Sequence, residues 1–146
     1  MTPHRRILYW IYGATAVLAL IATWNQNLAF FAEHTGSQGA LLFWQSTFAN
    51  RASASITIDL LLFAVAAVVW MVVEARRLGI RFVWLYVVFG ALIAISFTFP
   101  LFLMARERRL QLAGEESGAD LARGEAIGLA VFCAPVVLLA VWSLLA

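Results

Sequence analysis

Four long apolar stretches, separated by more polar segments, dominate the chain. They cover residues 7–24, 56–73, 82–104 and 127–146. About 20 apolar residues are needed for a helix to cross the roughly 30 Å hydrocarbon core of a bilayer. The pattern therefore predicts an all-α fold, a four-helix transmembrane bundle that forms one integral membrane domain over residues 1–146.

The two long connecting segments differ in character. Residues 25–55 are too apolar for a simple connector, and Leu41, Trp44 and Phe48 share one helical face. We expect an interfacial or re-entrant helical segment there, which would lie over the bundle like a lid. Residues 105–126 form a polar loop. In it the third helix should continue to about Ala113, and Ser117 with Asp120 resembles a capping box for the last helix.

Prolines interrupt two of the four apolar stretches. Pro100 and Pro135 lack the backbone N–H that would bond the carbonyl four residues earlier. We therefore predict kinks in the third and fourth helices.

The composition agrees with a membrane domain and argues against several other classes of protein. Of the 146 residues 64% are hydrophobic and 12% are charged, whereas soluble domains have about 45–50% apolar residues and about 25% charged ones. The net charge of +2 comes with no basic face, so nucleic-acid binding is not expected. Cys133 is the single cysteine, so no disulfide within the chain is expected. His4 is far from His34 in the sequence, so no metal site is expected. No cofactor motif appears.

Arginines supply all ten basic residues, and their distribution bears on orientation. Four crossings would place the N-terminus, the second loop and the C-terminus together, and the arginine count would tie at five on each side. Because the first helix usually dominates the positive-inside bias, we expect both termini in the cytoplasm. The five on that side are Arg5, Arg6, Arg76, Arg77 and Arg81; the others are Arg51, Arg106, Arg108, Arg109 and Arg123.

Two acids mark the ends of the second apolar stretch. Asp59 and Glu74 lie on one helical stripe, but fifteen residues separate them by about 22 Å, so they cannot act on one substrate atom. For Glu74 we expect a structural ion pair with Arg77. For Asp59 two interpretations stay open, an ion pair with Arg51 or a role in a ligand site.

The ligand-site interpretation defines a set of candidate residues. A site below the first loop would have a carboxylate and other polar groups at one end and aromatic rings along its walls. Its candidate residues are Asp59, Asn50, Arg51, Trp24, Trp44 and Trp70. No catalytic residue can be assigned, and whether the chain is an enzyme stays open.

Three segments of the chain, "FANRASASITIDLL", "WMVVEARRLGIRFVW" and "FTFPLFLMARER", resemble domain of unknown function family 2834. Its members are small bacterial integral membrane proteins without an established activity, so the resemblance implies a bacterial cytoplasmic (inner) membrane protein. It also implies that nine residues belong to a recurring pattern. These are Asn50, Asp59, Trp70, Glu74, Arg76, Arg77, Pro100, Arg106 and Glu107.

Three functions are compatible with these features. The leading hypothesis is binding, with or without transformation, of an apolar lipid or isoprenoid ligand in an intramembrane cavity. The alternative is an accessory or assembly subunit of a larger membrane protein complex, and a small proton-coupled transporter is a weaker alternative. Membrane lipids, a second copy of the chain or a larger membrane complex are the expected partners.

Overall fold

The computed structural model describes residues 3–34, 36, 38–114 and 123–145. Helices form nearly all of this part of the chain, which contains no strand, so the predicted all-α fold is confirmed. In chain order the helices are α1 Pro3–Glu33, α2 Gly39–Ser46, α3 Arg51–Leu78, α4 Val83–Leu92, α5 Ile95–Leu112 and α6 Arg123–Leu145.

Three helices are long and apolar enough to cross a membrane. They are Arg6–Glu33 within α1, Arg51–Leu78, which is all of α3, and Ile127–Leu145 within α6. Most of their large apolar side chains face outward, as expected for a protein whose solvent is lipid. The chain is therefore a membrane protein with three candidate spanning helices in its described part.

The third predicted span, residues 82–104, is two helices rather than one. The helix is interrupted at Ile93 and Ala94, where Ala94 has an extended backbone (φ −175°, ψ 134°). The Tyr86 ring packs against Phe102 at 5.7 Å between centroids, and Gly90 lies against Thr98. Because later positions in α4 meet earlier positions in α5, the two helices run antiparallel. The prediction of one continuous third span is therefore wrong.

The lengths of the two arms suit a re-entrant hairpin. The ten residues of α4 and the apolar residues 95–104 of α5 each extend about 15 Å, half of the hydrocarbon thickness. The break also places Pro100 in the second turn of α5, where a proline disturbs less of the helix than it would in mid-span. The carbonyl of Ala94 accepts bonds from the N–H groups of Phe97 and Thr98 and closes the first turn. We call this unit the α4–α5 hairpin.

The hairpin changes which parts of the chain meet. It returns Arg106 to the end of the bundle where α3 ends, 2.7 Å from Glu74. Gly13 of α1 lies beside Met104 at the same end. Of the ten arginines only Arg51 lies at the opposite end, so nine of them share what we call the basic end.

The last helix runs parallel to the first. Gln26 of α1 donates a 2.7 Å hydrogen bond to the carbonyl of Ser143 near the end of α6. Thus α1 begins at the basic end and α6 ends at the opposite end. This geometry contradicts the arrangement expected from four crossings, in which both ends of the chain lie on one side.

The connecting segments are shorter than predicted. Within residues 25–55, α1 continues to Glu33 and α3 already begins at Arg51, while Phe43 of α2 packs against the rings of Phe30 and Phe31. Within residues 105–126, α5 continues to Leu112, which confirms the predicted extension past the apolar residues. The predicted cap at Ser117 and Asp120 lies outside the described residues. Pro135 lies inside α6, which is one continuous helix.

The small core lies where α3 meets the hairpin. Met71, Ala75 and Phe102 are almost fully buried and form its centre. Helix α5 packs on α1, α3 and α4, whereas α6 packs on α1. The hairpin is therefore the central element of the bundle.

Candidate functional site

Two buried carboxylates mark the basic end of the bundle. Glu74 of α3 is 7% exposed and Glu107 of α5 is 2% exposed. Arg106 joins them, since its Nε donates to Glu74 Oε1 at 2.7 Å and its Nη1 donates to Glu107 Oε1 at 2.9 Å. Arg77 donates from Nε and Nη2 to the two oxygens of Glu74, both at 2.8 Å. We call these four residues the ionic cluster.

The expected pair of Glu74 and Arg77 is present, one turn apart on α3. The contribution of Arg106 was missed, because a continuous third span would place Arg106 on the opposite membrane face from Glu74. The hairpin removes that separation. The inclusion of Arg106 and Glu107 in the family-like pattern was the one sequence feature that pointed to them.

Aromatic residues lie beside the ionic cluster. The guanidinium carbon of Arg106 lies 5.8 Å from the centroid of the Trp70 ring, a distance suited to a cation–π contact. Trp70 in turn packs edge-on against Phe102. Tyr12 of α1 lies within electrostatic range of Glu107 and Arg106, so all three packed helices meet here.

The ionic cluster joins helices and offers little access to a substrate. Its two acids balance its two arginines in formal charge, and both acids are buried. Oxygen Oε2 of Glu107 is buried without a hydrogen-bond partner, so Arg106 alone satisfies this carboxylate. Since losing one member of a buried pair is costly, the cluster fixes the end of α5 to α3.

A cleft of about 310 Å³ lies along the α4–α5 hairpin. We call it the hairpin cleft. Side chains of both arms form its walls, and hydroxyl groups on two of them, Tyr86 and Thr98, are its only side-chain polar atoms. The lining residues are Leu85, Tyr86, Phe89, Ile93, Phe97, Thr98 and Leu101.

The polar residues of the sequence-predicted ligand site lie at the opposite end from the ionic cluster. Asn50 caps α3, where its side chain accepts from the N–H groups of Ala52 and Ser53 and completes a capping box. Asp59 is exposed in the third turn of α3, too far from its start to be explained by the helix dipole. In the part of the chain that the structure describes, Asp59 and exposed Arg51 form no ion pair with each other.

The predicted aromatic walls are not brought together with Asp59. Trp24 of α1 and Trp44 of α2 are both exposed. Trp70 lies eleven residues beyond Asp59 on the continuous helix α3, about 16 Å along its axis. Of the six candidate residues, Trp70 alone contacts the ionic cluster.

Side chains that could bind a metal ion are scattered over the described residues. No three His, Cys, Asp or Glu side chains there are close enough together to bind a metal ion. Cys133 is exposed on α6.

Comparison with protein families gives a match over most of the chain. A family model covers residues 11–108, or 98 of the 146 residues, and its description is Protein of unknown function DUF2834. The chain belongs to this family. The DUF2834 match includes the α4–α5 hairpin and all four residues of the ionic cluster, and it ends before α6. Comparison with curated proteins and with solved structures finds no match.

Proposed function

We propose that this DUF2834 protein binds an apolar lipid or isoprenoid chain in the hairpin cleft. The observation that supports this function best is an apolar cleft of about 310 Å³ on a re-entrant element. Small-molecule pockets occupy about 300–1,000 Å³, so the cleft suits one slender chain. Because its walls are almost wholly apolar, a hydrocarbon chain would lose no hydrogen bonds on entering it.

The side chains that line the hairpin cleft suit binding of a ligand better than catalysis. Tyr86 is the one titratable residue among its lining side chains, and no carboxylate or imidazole lines it. The ionic cluster supports binding indirectly, because Arg106 holds the base of the hairpin to α3 and thereby fixes the cleft walls. Packed aromatic rings connect the hairpin cleft with the ionic cluster. The ring of Tyr86, which lines the cleft, packs on Phe102, and Phe102 packs on Trp70 beside the cluster.

The distribution of arginines supports an orientation. Nine of the ten lie at the basic end, whereas the four-span interpretation gave a tie. By the positive-inside rule the basic end faces the cytoplasm of a bacterial cell. Under this proposal α1 begins on the cytoplasmic side of the inner membrane, and α6 ends on the other side.

Native mass spectrometry of the detergent-purified protein tests the proposed function. Leu85→Trp adds bulk at the cleft edge, and Leu92→Trp makes the same change on α4 outside the cleft lining; both leucines are exposed. We expect wild type and Leu92→Trp to retain a lipid or isoprenoid that Leu85→Trp loses. Equal retention by both variants would contradict the cleft as the binding site.

The same spectra address the accessory-subunit alternative. A foreign protein retained in fixed stoichiometry, with no lipid bound, would favour a subunit of a larger membrane complex and would overturn the lipid proposal. A lipid-bearing monomer or homo-oligomer would support it.

A further inference from the structure

We propose that the chain in the hairpin cleft belongs to an anionic phospholipid whose phosphate is bound by Arg81. This inference rests on the proposed function and specifies the ligand. It combines three observations at the turn between α3 and α4: an arginine without a partner among the described residues, nearby described acids that are already paired, and two exposed aromatic residues.

Arg81 is exposed in the turn that leads into the hairpin. Across the described residues its guanidinium has no hydrogen-bond or ion-pair partner, in contrast to Arg77 and Arg106. The turn itself is held in place, since Gly79 takes a left-handed conformation and the N–H of Ile80 bonds the carbonyl of Ala75. Arg81 is thus a free cation on a fixed backbone.

Two described carboxylates near this turn are already paired. Glu74 accepts from Arg77 and Arg106, and Glu107 accepts from Arg106. Exposed Arg76 adds a further positive charge on the last turns of α3. An approaching phosphate therefore meets positive charge without an unpaired described acid beside it, and arginine suits phosphate geometry.

Aromatic side chains place this turn at the depth of lipid head groups. Phe82 and Trp84, on either side of the start of α4, are exposed, and tryptophan rings such as that of Trp84 gather where hydrocarbon meets head groups. Phe82 also has φ 62°, the one positive φ at a non-glycine residue in the described chain. Residues held in this uncommon conformation are often found at binding sites.

The cleft begins in the first turn of α4, shortly after Arg81. Leu85, its first lining residue, is four positions later, and the lining continues along α4 to Ile93, about 12 Å further. A phospholipid with its phosphate at Arg81 would therefore have a tail aligned with the cleft. One molecule could occupy both the polar and the apolar part of the site.

The test compares two lipids that differ in charge but share their acyl chains, phosphatidylglycerol and phosphatidylcholine. Purified protein is mixed with equal amounts of both, and native mass spectrometry measures the ratio retained. Arg81→Gln removes the proposed contact, and Arg51→Gln removes an exposed arginine at the opposite end. We expect wild type and Arg51→Gln to prefer phosphatidylglycerol about fivefold, the factor that corresponds to about 1 kcal/mol per arginine near head groups. Arg81→Gln should bring the ratio close to one.

The outcomes separate this inference from the proposed function. Equal retention of both lipids by wild type, with loss of both in Leu85→Trp, would overturn the selection of an anionic lipid by Arg81 and leave the cleft. A preference that persists in Arg81→Gln, or disappears equally in Arg51→Gln, would also overturn it. If wild type retained neither phospholipid, the phosphate site would be overturned, while the cleft would still be tested by the lipid or isoprenoid that co-purifies with the protein.

Discussion

Replacing Arg106 by methionine should destabilise the protein more than any other single loss of charge at the basic end. The change keeps a long side chain but removes the one partner of Glu107 and one of the two partners of Glu74. Glu107 would then be a buried carboxylate without compensation, whereas Glu74 would keep Arg77.

The size of the effect follows from burial. Breaking a fully buried ion pair costs about 3–5 kcal/mol. The side chain of Arg106 is 25% exposed, so the lower limit applies, about 3 kcal/mol. At about 2–4 °C per kcal/mol for a chain of this size, the unfolding midpoint should fall by about 6–12 °C.

Thermal unfolding in detergent, followed by tryptophan fluorescence, measures this fall. Arg108→Met is the matched control, because Arg108 is exposed on the same helix and should cost little. Adding Glu107→Gln to Arg106→Met removes the stranded charge and should recover part of the lost stability. Equal midpoints for Arg106→Met and Arg108→Met would refute the argument that the ionic cluster fixes α5 to α3.

Two further substitutions test local features of the fold in the same unfolding assay. Gly90→Ala places a Cβ 2.8 Å from the Thr98 hydroxyl and should cost about 1–2 kcal/mol, whereas Gly128→Ala on α6 meets nothing within 4 Å and should be neutral or stabilising. A stabilising Gly90→Ala would contradict the close packing of the hairpin arms. Asn50→Ala removes the α3 cap and should cost about 1 kcal/mol, while Gln38→Ala at the start of α2, where no side-chain cap bond forms, should cost almost nothing. Equal effects at these two positions would contradict the capping role.

Much of the architecture was predictable because lipid imposes a simple rule on sequence. Apolar stretches long enough to cross a bilayer must be helical, and composition alone identified the class of protein. The stretches near α1, α3 and α6 were located correctly in this way.

The hairpin was not predictable from hydropathy. Residues 82–104 have the length of one span, and two apolar arms of half that length give the same profile. The break at Ile93 and Ala94 accompanies packing of the two arms on each other and on α3, and the sequence contains no periodic pattern that indicates this packing. Pro100 predicted a disturbance in this stretch, but the break lies six residues before it.

The candidate site in the structure differs from the one predicted around Asp59, again because the hairpin was not predicted. Asp59 stood out because it is an acid in an apolar run, a feature visible in the sequence. Glu107 appeared to be one charge among several in a polar loop, and its burial depends on the return of α5 to the end of α3. Because the turn between α4 and α5 was not predicted, the sequence analysis selected the exposed acid Asp59 and passed over the buried acid Glu107.

Cysteine accessibility tests the central claim, that the third apolar stretch turns back. In a Cys133→Ala background, single cysteines at Arg76, Arg108 and Ser46 report the ends of α3, α5 and α2. We expect an impermeant thiol reagent to label positions 76 and 108 from the same side of the membrane, and position 46 from the other. Labelling of 108 from the same side as 46 would show that residues 82–104 cross the bilayer, and would contradict the hairpin.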